Sequence, residues 1–245
     1  MMLHKQAHGI SHFEFSMFRL VIIFSLLWST SVKSQDIEGI IAEHYKVSQQ
    51  EFWDQIQTVN IRGIWLKGQE KATFELLAKK PGKIMLKGQW QSEPFAQSFD
   101  GSSGWTQAPW TGTSTAQLML PKEQRVLRAV FDFGSPIPRD VALEYRGEGD
   151  AFGVPCYRLA AQIDGVEYEY FIDEDDYRLR RMDRRELIGK QTVILTKRYD
   201  QYRKFGGVAI PTLVTIQTED LEKEFVFDDI VAGNGISNLV FRRPE

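Results

Sequence analysis

The sequence predicts a mainly β protein of the α+β class: one domain on a long, curved antiparallel sheet, with helices at the N-terminus and mid-chain. Three observations predict it. Runs with period-two alternation recur along most of the chain and give eleven or twelve candidate strands. Turn dipeptides join consecutive runs, among them Asp100-Gly101, Asp164-Gly165 and Gly206-Gly207, which is hairpin chemistry. Only two helical regions interrupt the strands, and no Ser/Pro/Gly-rich linker divides the chain, which argues against βαβ alternation. The length of 245 residues, with 42% hydrophobic and 26% charged residues, suits one large globular domain rather than a disordered or fibrous chain.

The first element is an export signal. Arg19 precedes the uncharged run Leu20-Val-Ile-Ile-Phe-Ser-Leu-Leu-Trp28, and small residues lead to Ser34. That is a basic start, a short apolar core and a cleavage point. The run is short for a membrane-spanning helix, which needs about 20 apolar residues. Residues 1–34 are therefore read as a cleaved signal peptide, with Met17 as an alternative start. An uncleaved signal that tethers the protein to the membrane is the other reading. The domain proper is expected over 35–245.

Ile37, Ile40, Ile41, His44 and Tyr45 recur at helical spacing and predict an amphipathic helix. Ser48-Gln49-Gln50-Glu51 fits a capping box opening a second short helix with Phe52, Trp53 and Ile56. From Val59 the period changes to two. Strands are expected at Val59–Lys67, around Ala72–Ala78, after the Pro81-Gly82 turn at Lys83–Gly88, at Phe95–Phe99, and from Trp105. Residues 108–120 read as a loop with apolar content. Pro121 to Phe131 reads as a helix with Pro in its first turn and Val126, Leu127, Val130 and Phe131 on one stripe. Seven strands follow: Val141–Gly147, Val154–Ile163, Val166–Asp173, Tyr177–Arg185, Thr192–Lys204, Val208–Glu219 and Glu224–Ile230.

Composition narrows the chemistry. The single cysteine, Cys156, allows no internal disulfide. Of four histidines, His4, His8 and His12 precede the apolar run, which leaves His44 and argues against a His-Cys or paired-His metal site. A net charge of −3 argues against general nucleic-acid binding. Neither a catalytic residue, nor a metal, nor a cofactor is expected.

Four short motifs have ordinary readings. Gly147-Glu-Gly149-Asp-Ala-Phe-Gly153 has the wrong glycine register for a phosphate loop and reads as a mobile turn. Asp173–Asp176 lacks the spacers of a calcium loop and reads as a solvated turn. Gly101-Ser102-Ser103-Gly104 is a turn and not a nucleophile elbow. Arg178, Arg180, Arg181, Arg184 and Arg185 read as an outer face balanced by carboxylates of the preceding strand, with Arg178, Arg180 and Arg184 on one side. A docking patch for an acidic partner or anionic headgroups is the other reading.

Aromatic residues carry more information. Trp53, Trp65, Trp90, Trp105 and Trp110 fall close together in the chain, and Trp110 sits in a Pro/Gly/Thr-rich loop, where it either packs under the loop or covers an opening.

The helical start Ile40-Ile41-Ala-Glu-His-Tyr45 and the turn Lys80-Pro81-Gly82-Lys83 begin a wider pattern. It continues through Phe99-Asp100-Gly101-Ser-Ser-Gly104-Trp105, Gly153-Val-Pro155-Cys-Tyr157-Arg-Leu159 and Tyr170-Phe-Ile-Asp173, and ends at Tyr199-Asp-Gln-Tyr202-Arg-Lys-Phe-Gly-Gly207-Val-Ala-Ile-Pro211. In this order the chain resembles the outer membrane lipoprotein-sorting proteins, the LolA-like superfamily of periplasmic lipoprotein carriers. The resemblance runs nearly end to end. It implies an incomplete β-barrel with a helical lid over an apolar cavity that carries acyl chains of lipoproteins or other lipids. It also implies a periplasmic protein with an inner-membrane donor and an outer-membrane acceptor, expected to act as a monomer. Some relatives sense stress through protein contacts instead. The well-studied carrier closes its lid with a strand arginine; Arg62 lies on an early strand here, without a residue-by-residue match.

Alternation selects the expected cavity lining: Trp65, Phe74, Leu76, Ile84, Leu86, Phe95, Phe99 and Trp105 from the sheet, with Trp110, Leu127 and Phe131 from the lid. A carrier is the first function expected. A protein-interaction or sensor module with a filled interior is the alternative, and a carboxylate hydrolase is a third.

Overall fold

The computed structural model describes residues 37–233 and 235–244. The expected signal peptide and the alternative start at Met17 lie outside the described residues. Helix α1 (Ile37–Val47) and the short helix α2 (Gln50–Gln55) lead into five strands, β1 (Thr58–Lys67), β2 (Glu70–Lys79), β3 (Lys83–Trp90), β4 (Glu93–Phe99) and β5 (Gly104–Gln107). A two-residue strand, β6 (Gln117–Leu118), precedes helix α3 (Pro121–Arg128). The second half holds β7 (Glu144–Ala151), β8 (Val154–Ile163), β9 (Val166–Asp173), β10 (Leu179–Ile188), β11 (Gln191–Phe205), β12 (Val208–Thr218) and β13 (Leu221–Ala232). Short 3₁₀ turns lie at Pro109–Thr111 and Asn238–Phe241. The strand beyond the expected number is β6, inside the stretch read as a loop.

All thirteen strands form one antiparallel sheet in the order β6-β5-β4-β3-β2-β1-β13-β12-β11-β10-β9-β8-β7. It is two meanders joined by the pairing of β1 with β13, with Val59 opposite Ala232 and Trp65 opposite Phe225. The open edges, β6 and β7, are consecutive in sequence. Their connection must therefore cross the whole sheet, which laid flat would span roughly 60 Å at about 4.8 Å per strand. This crossing carries α3 over one face, and it is fastened at both sheet edges.

Alternation sorts the side chains. In β2 the buried residues are Ala72, Phe74, Leu76 and Ala78; in β12 they are Val208, Ile210, Thr212, Val214 and Ile216. These point to the face covered by the helices. The pairing with β13 shifts between Arg62 and Gly63, where β13 carries the extra residue Asp228, so Phe227 and Ile230 both reach that face; the glycine is required there because a Cβ at residue 63 would lie 2.0 Å from the Val226 carbonyl oxygen. Val126 and Leu127 of α3 pack down as its stripe predicts, but the helix ends at Arg128, so Val130 and Phe131 reach the same core from irregular chain. Gly134 then turns with φ +85°, where a Cβ would strike Trp53.

Three expectations need correction. No capping box opens α2: Gln49 precedes it in a left-handed conformation with no side-chain cap. The Ser48 hydroxyl donates back to the Tyr45 carbonyl at 3.2 Å, and the Gln49 side chain bonds to Gly207 and Ala209 on the β11–β12 hairpin. Tertiary bonding outbids the local pattern. Residues 147–151 are not a turn but part of edge strand β7, which pairs with β8 through Gly149 and Cys156; the turn is at Phe152-Gly153. Finally, Arg178, Arg180 and Arg184 do not share a side, because a bulge between Leu179 and Arg181 shifts the register.

Candidate functional site

The helix-bearing face divides into two regions. One is built by β1–β5 with β12 and β13 and is apolar. Trp65 is its centre, with ring centroids 5.2 Å from Trp90, 5.6 Å from Phe95, 5.5 Å from Trp110 and 6.2 Å from Phe225. Trp110 stands on the 3₁₀ turn at Pro109–Thr111 and also meets Phe95 at 5.4 Å, yet the residue remains 44% exposed. It both packs under the loop and covers the edge of the cluster. Such ring contacts, edge-on, tilted or stacked, add about 0.5–1.5 kcal/mol per pair to the burial itself. Leu127, Val130 and Phe131 close the cluster from the cover, and Trp53 of α2 abuts Phe131 at 5.9 Å.

The other region, built by β8–β11 under α1, is rich in tyrosine. Ile40, Ile137, Leu159, Ile172 and Leu179 pack around Tyr170 and Tyr199, with Tyr202 beside them. Polar atoms are threaded through it. His44 Nδ1 lies 2.8 Å from the Tyr177 carbonyl oxygen and Nε2 2.8 Å from Ser135 Oγ. Burial pulls the imidazole down to about 4, so at neutral pH it is uncharged, and the carbonyl places its proton on Nδ1. The Ser135 hydroxyl therefore donates to Nε2, and α1, the β9–β10 turn and the chain after α3 meet at one side chain.

Between the regions lies an ion pair. Lys197 of β11 meets the Asp132 carboxylate, and the Tyr199 hydroxyl donates to the same carboxylate at 3.0 Å. Burial pulls the lysine below its ordinary range, and Asp132 offsets this in part. Burial first, and then the Asp132 charge, raise the Tyr199 hydroxyl well above its usual value, so it stays protonated and donates. A cavity of about 50 Å³ adjoins the pair, lined by Phe131, Val214 and Phe227 on one side and by His44, Ser135 and Tyr202 on the other. Asp132 is the single carboxylate in that lining.

Most of the expected lining meets in the apolar region. Trp65, Phe74, Leu76, Ile84, Leu86, Phe95, Phe99, Leu127 and Phe131 share one buried cluster, with Trp110 on its rim. Trp105 does not join them. It pairs with Ser98, out of step with Phe99, and so faces the opposite side of the sheet. There the C-terminal turn covers it, and its Nε1 donates to the Phe241 carbonyl at 3.0 Å. Alternation carried across the Asp100–Ser103 turn was off by one residue. Sequence reasoning did not identify Lys197, Asp132, Tyr199 or Tyr202. A lysine at an inward position of β11, between Leu195 and Tyr199, was the available signal. Arg62 is exposed and takes no part.

The arginine run is neutralised. Arg178 pairs with Asp176, Arg180 with Asp173, Arg181 with Asp183, Arg184 with Glu186 and Arg185 with Glu169. Only Arg180 and Arg185 pair with carboxylates of the preceding strand, while Arg184 donates to the Tyr168 hydroxyl there. The Asp173–Asp176 turn is thereby tied to arginine, and Asp173 also accepts from the backbone of Asp175 and Asp176. Among the described residues no His/Cys/Asp/Glu group could hold a metal ion, and no helix is long and apolar enough to cross a membrane.

No family model matches the chain, and no curated protein matches it in sequence. Solved structures do. A DUF1329 family protein from Desulfovibrio piger superposes with a TM-score of 0.56 at 11% identity, over 83% of this chain and 97% of the other. A LolA superfamily protein from Nitrosomonas europaea gives 0.55 at 12% identity, over 83% and 97%. A candidate outer membrane lipoprotein-sorting protein domain from Vibrio parahaemolyticus gives 0.51 at 12% identity, over 80% and 94%. The expected resemblance is therefore present as a shared fold, an open curved sheet with helices over one face.

Proposed function

We propose that this chain is an exported, non-enzymatic periplasmic carrier that shelters the acyl chains of lipoproteins or lipids and moves them toward the outer membrane. Residues 1–34 are its cleaved signal and 35–245 its carrier domain. The observation that supports this most is the composition of one interface. The aromatic floor around Trp65 is covered by a short, two-ended crossing rather than by a second sheet.

Magnitudes support reversible exchange. A cavity of about 50 Å³ is far smaller than the several hundred Å³ typical of ligand sites, so an acyl chain must displace the cover. Uncovering Met119, Leu127, Val130 and Phe131, all buried, costs about 1.5–3 kcal/mol each. Burying a sixteen-carbon chain returns about 0.8 kcal/mol per methylene, or roughly 12 kcal/mol. The two are similar, so cargo can enter and leave without an energy source, and direction comes from a tighter acceptor. In this reading the partners are an acylated lipoprotein or lipid, an inner-membrane donor and an outer-membrane acceptor, and the carrier works as a monomer.

Native mass spectrometry of protein purified from the periplasm without detergent tests it. The expected result is a mass excess of phospholipid or acylated peptide, reduced in Trp110→Ala, whose half-exposed ring covers the edge of the aromatic cluster, in protein that still melts cooperatively. Protein that is empty, and that refuses added lipid and acylated peptide, would overturn the proposal. The small cavity favours a second reading, a protein-interaction or sensor module with no lipid cargo. Refusal of lipid together with a stoichiometric protein partner in a pull-down would establish that reading.

A further inference from the structure

We propose that the acyl ligands of this carrier end in an anionic group, and that Lys197 receives that group in place of Asp132. The inference rests on the carrier reading and adds a ligand class to it.

The two partners of the ion pair belong to parts that must separate. Lys197 is fixed in β11, in the middle of the face, with a side chain 1% exposed. Asp132 belongs to the cover: it lies four residues after the end of α3, between Phe131 and Phe133. An acyl chain that displaces Phe131 from the floor carries the neighbouring carboxylate with it. The ammonium then stays in a site walled by Val214, Phe227 and Tyr199 with no counter-ion, which is strongly unfavourable. A carboxylate or phosphate at the head of the incoming chain repairs the loss, and an uncharged head does not. Asp132 is in this sense a built-in stand-in for the head of the ligand.

The surroundings suit such a head. The Tyr199 hydroxyl already donates to the anion on Lys197. The Tyr170 hydroxyl, on the same face and fully buried, has no hydrogen-bond partner, and the Asp132 charge acts on it. Both are protonated donors, as an oxyanion requires. The pair also lies where the apolar floor gives way to the tyrosine-rich region, so a tail along Phe227 and Val214 would present its head to Lys197.

Matched amphiphiles test the assignment. Binding of oleate against oleyl alcohol, and of dioleoyl phosphatidylglycerol against dioleoylglycerol, is measured by tryptophan fluorescence and native mass spectrometry. The wild-type protein is expected to prefer the anionic member at least about tenfold, since loss of a buried counter-ion exceeds one decade in affinity. A preference in the first pair alone marks a free acid and in the second alone a phospholipid head, and either supports the assignment. Asp132→Asn removes the internal competitor, so oleate and oleyl alcohol are both expected to bind several-fold tighter, with the preference for oleate kept. The double variant Asp132→Asn/Lys197→Met leaves no charge behind, so it is expected to fold, to take up both members of each pair and to lose the preference. Equal binding of charged and uncharged members by the wild type, or a preference that survives in the double variant, overturns the assignment alone. Uptake of neither member by any form overturns the carrier reading, and this assignment with it.

Discussion

Around Trp65 the helix-bearing face is closed by rings and aliphatic side chains, whereas around Tyr199 it is closed by hydroxyls, an imidazole and an ion pair. The sheet is continuous between them. The difference lies in what a cover must do in each place. Rings held by dispersion and exclusion of water tolerate replacement by any apolar chain of suitable volume. Hydrogen-bonded buried groups do not, because each lost partner leaves a polar atom unpaired. In the proposed carrier the first region is the one that exchanges. The second holds α1, the β9–β10 turn and the chain after α3 together. Asp132 is where the two regions meet.

This contrast can be broken from either side. The largest effect is expected for Trp65→Ala, at about 3–5 kcal/mol of folding stability by urea denaturation, because a buried indole with at least four ring neighbours leaves a cavity. The tyrosine-rich region responds to pH instead. His44 binds its proton near 4 in the folded protein and near 6.5 when unfolded, so between these values the unfolded chain holds more protons. Stability is complete above about pH 6.5 and falls as pH drops toward 4, by roughly 3 kcal/mol at 1.36 kcal/mol per unit. His44→Gln is expected to remove that slope in thermal melts across pH 4–7, while Trp65→Ala leaves it intact. A smaller loss, about 1.5 kcal/mol, is expected for Tyr199→Phe, which deletes one hydrogen bond to a charged group. The smallest concerns Arg62. Its side chain is exposed, so Arg62→Ala is expected to change stability by less than about 0.5 kcal/mol and to leave lipid uptake unchanged. A marked change in uptake would show that the resemblance extends to the lid mechanism after all.

Much of this organisation is legible in the chain itself. Strands β8 and β9 have the bounds that alternation predicts, and the Asp164-Gly165 and Gly206-Gly207 turns fall between consecutive strands. The apolar floor is legible for the same reason: inward positions of a strand announce themselves every second residue. The error at Trp105 shows the limit of that rule, since alternation holds within a strand and does not count residues across a turn.

Local sequence determined the class of the protein, the identity of most strands, the aromatic character of one face and the scarcity of cysteine and histidine, because period, turn chemistry and composition act over a few residues. Tertiary structure alone decided the rest. The pairing of β1 with β13 joins residues more than 150 positions apart. The crossing from β6 to β7 follows from which strands become edges. The meeting of Lys197 with Asp132, and of His44 with Ser135 and Tyr177, depends on three or more elements packing at once. Such contacts have no sequence period, because what selects them is the cost of leaving a buried polar group without a partner, and burial exists only once the chain has folded.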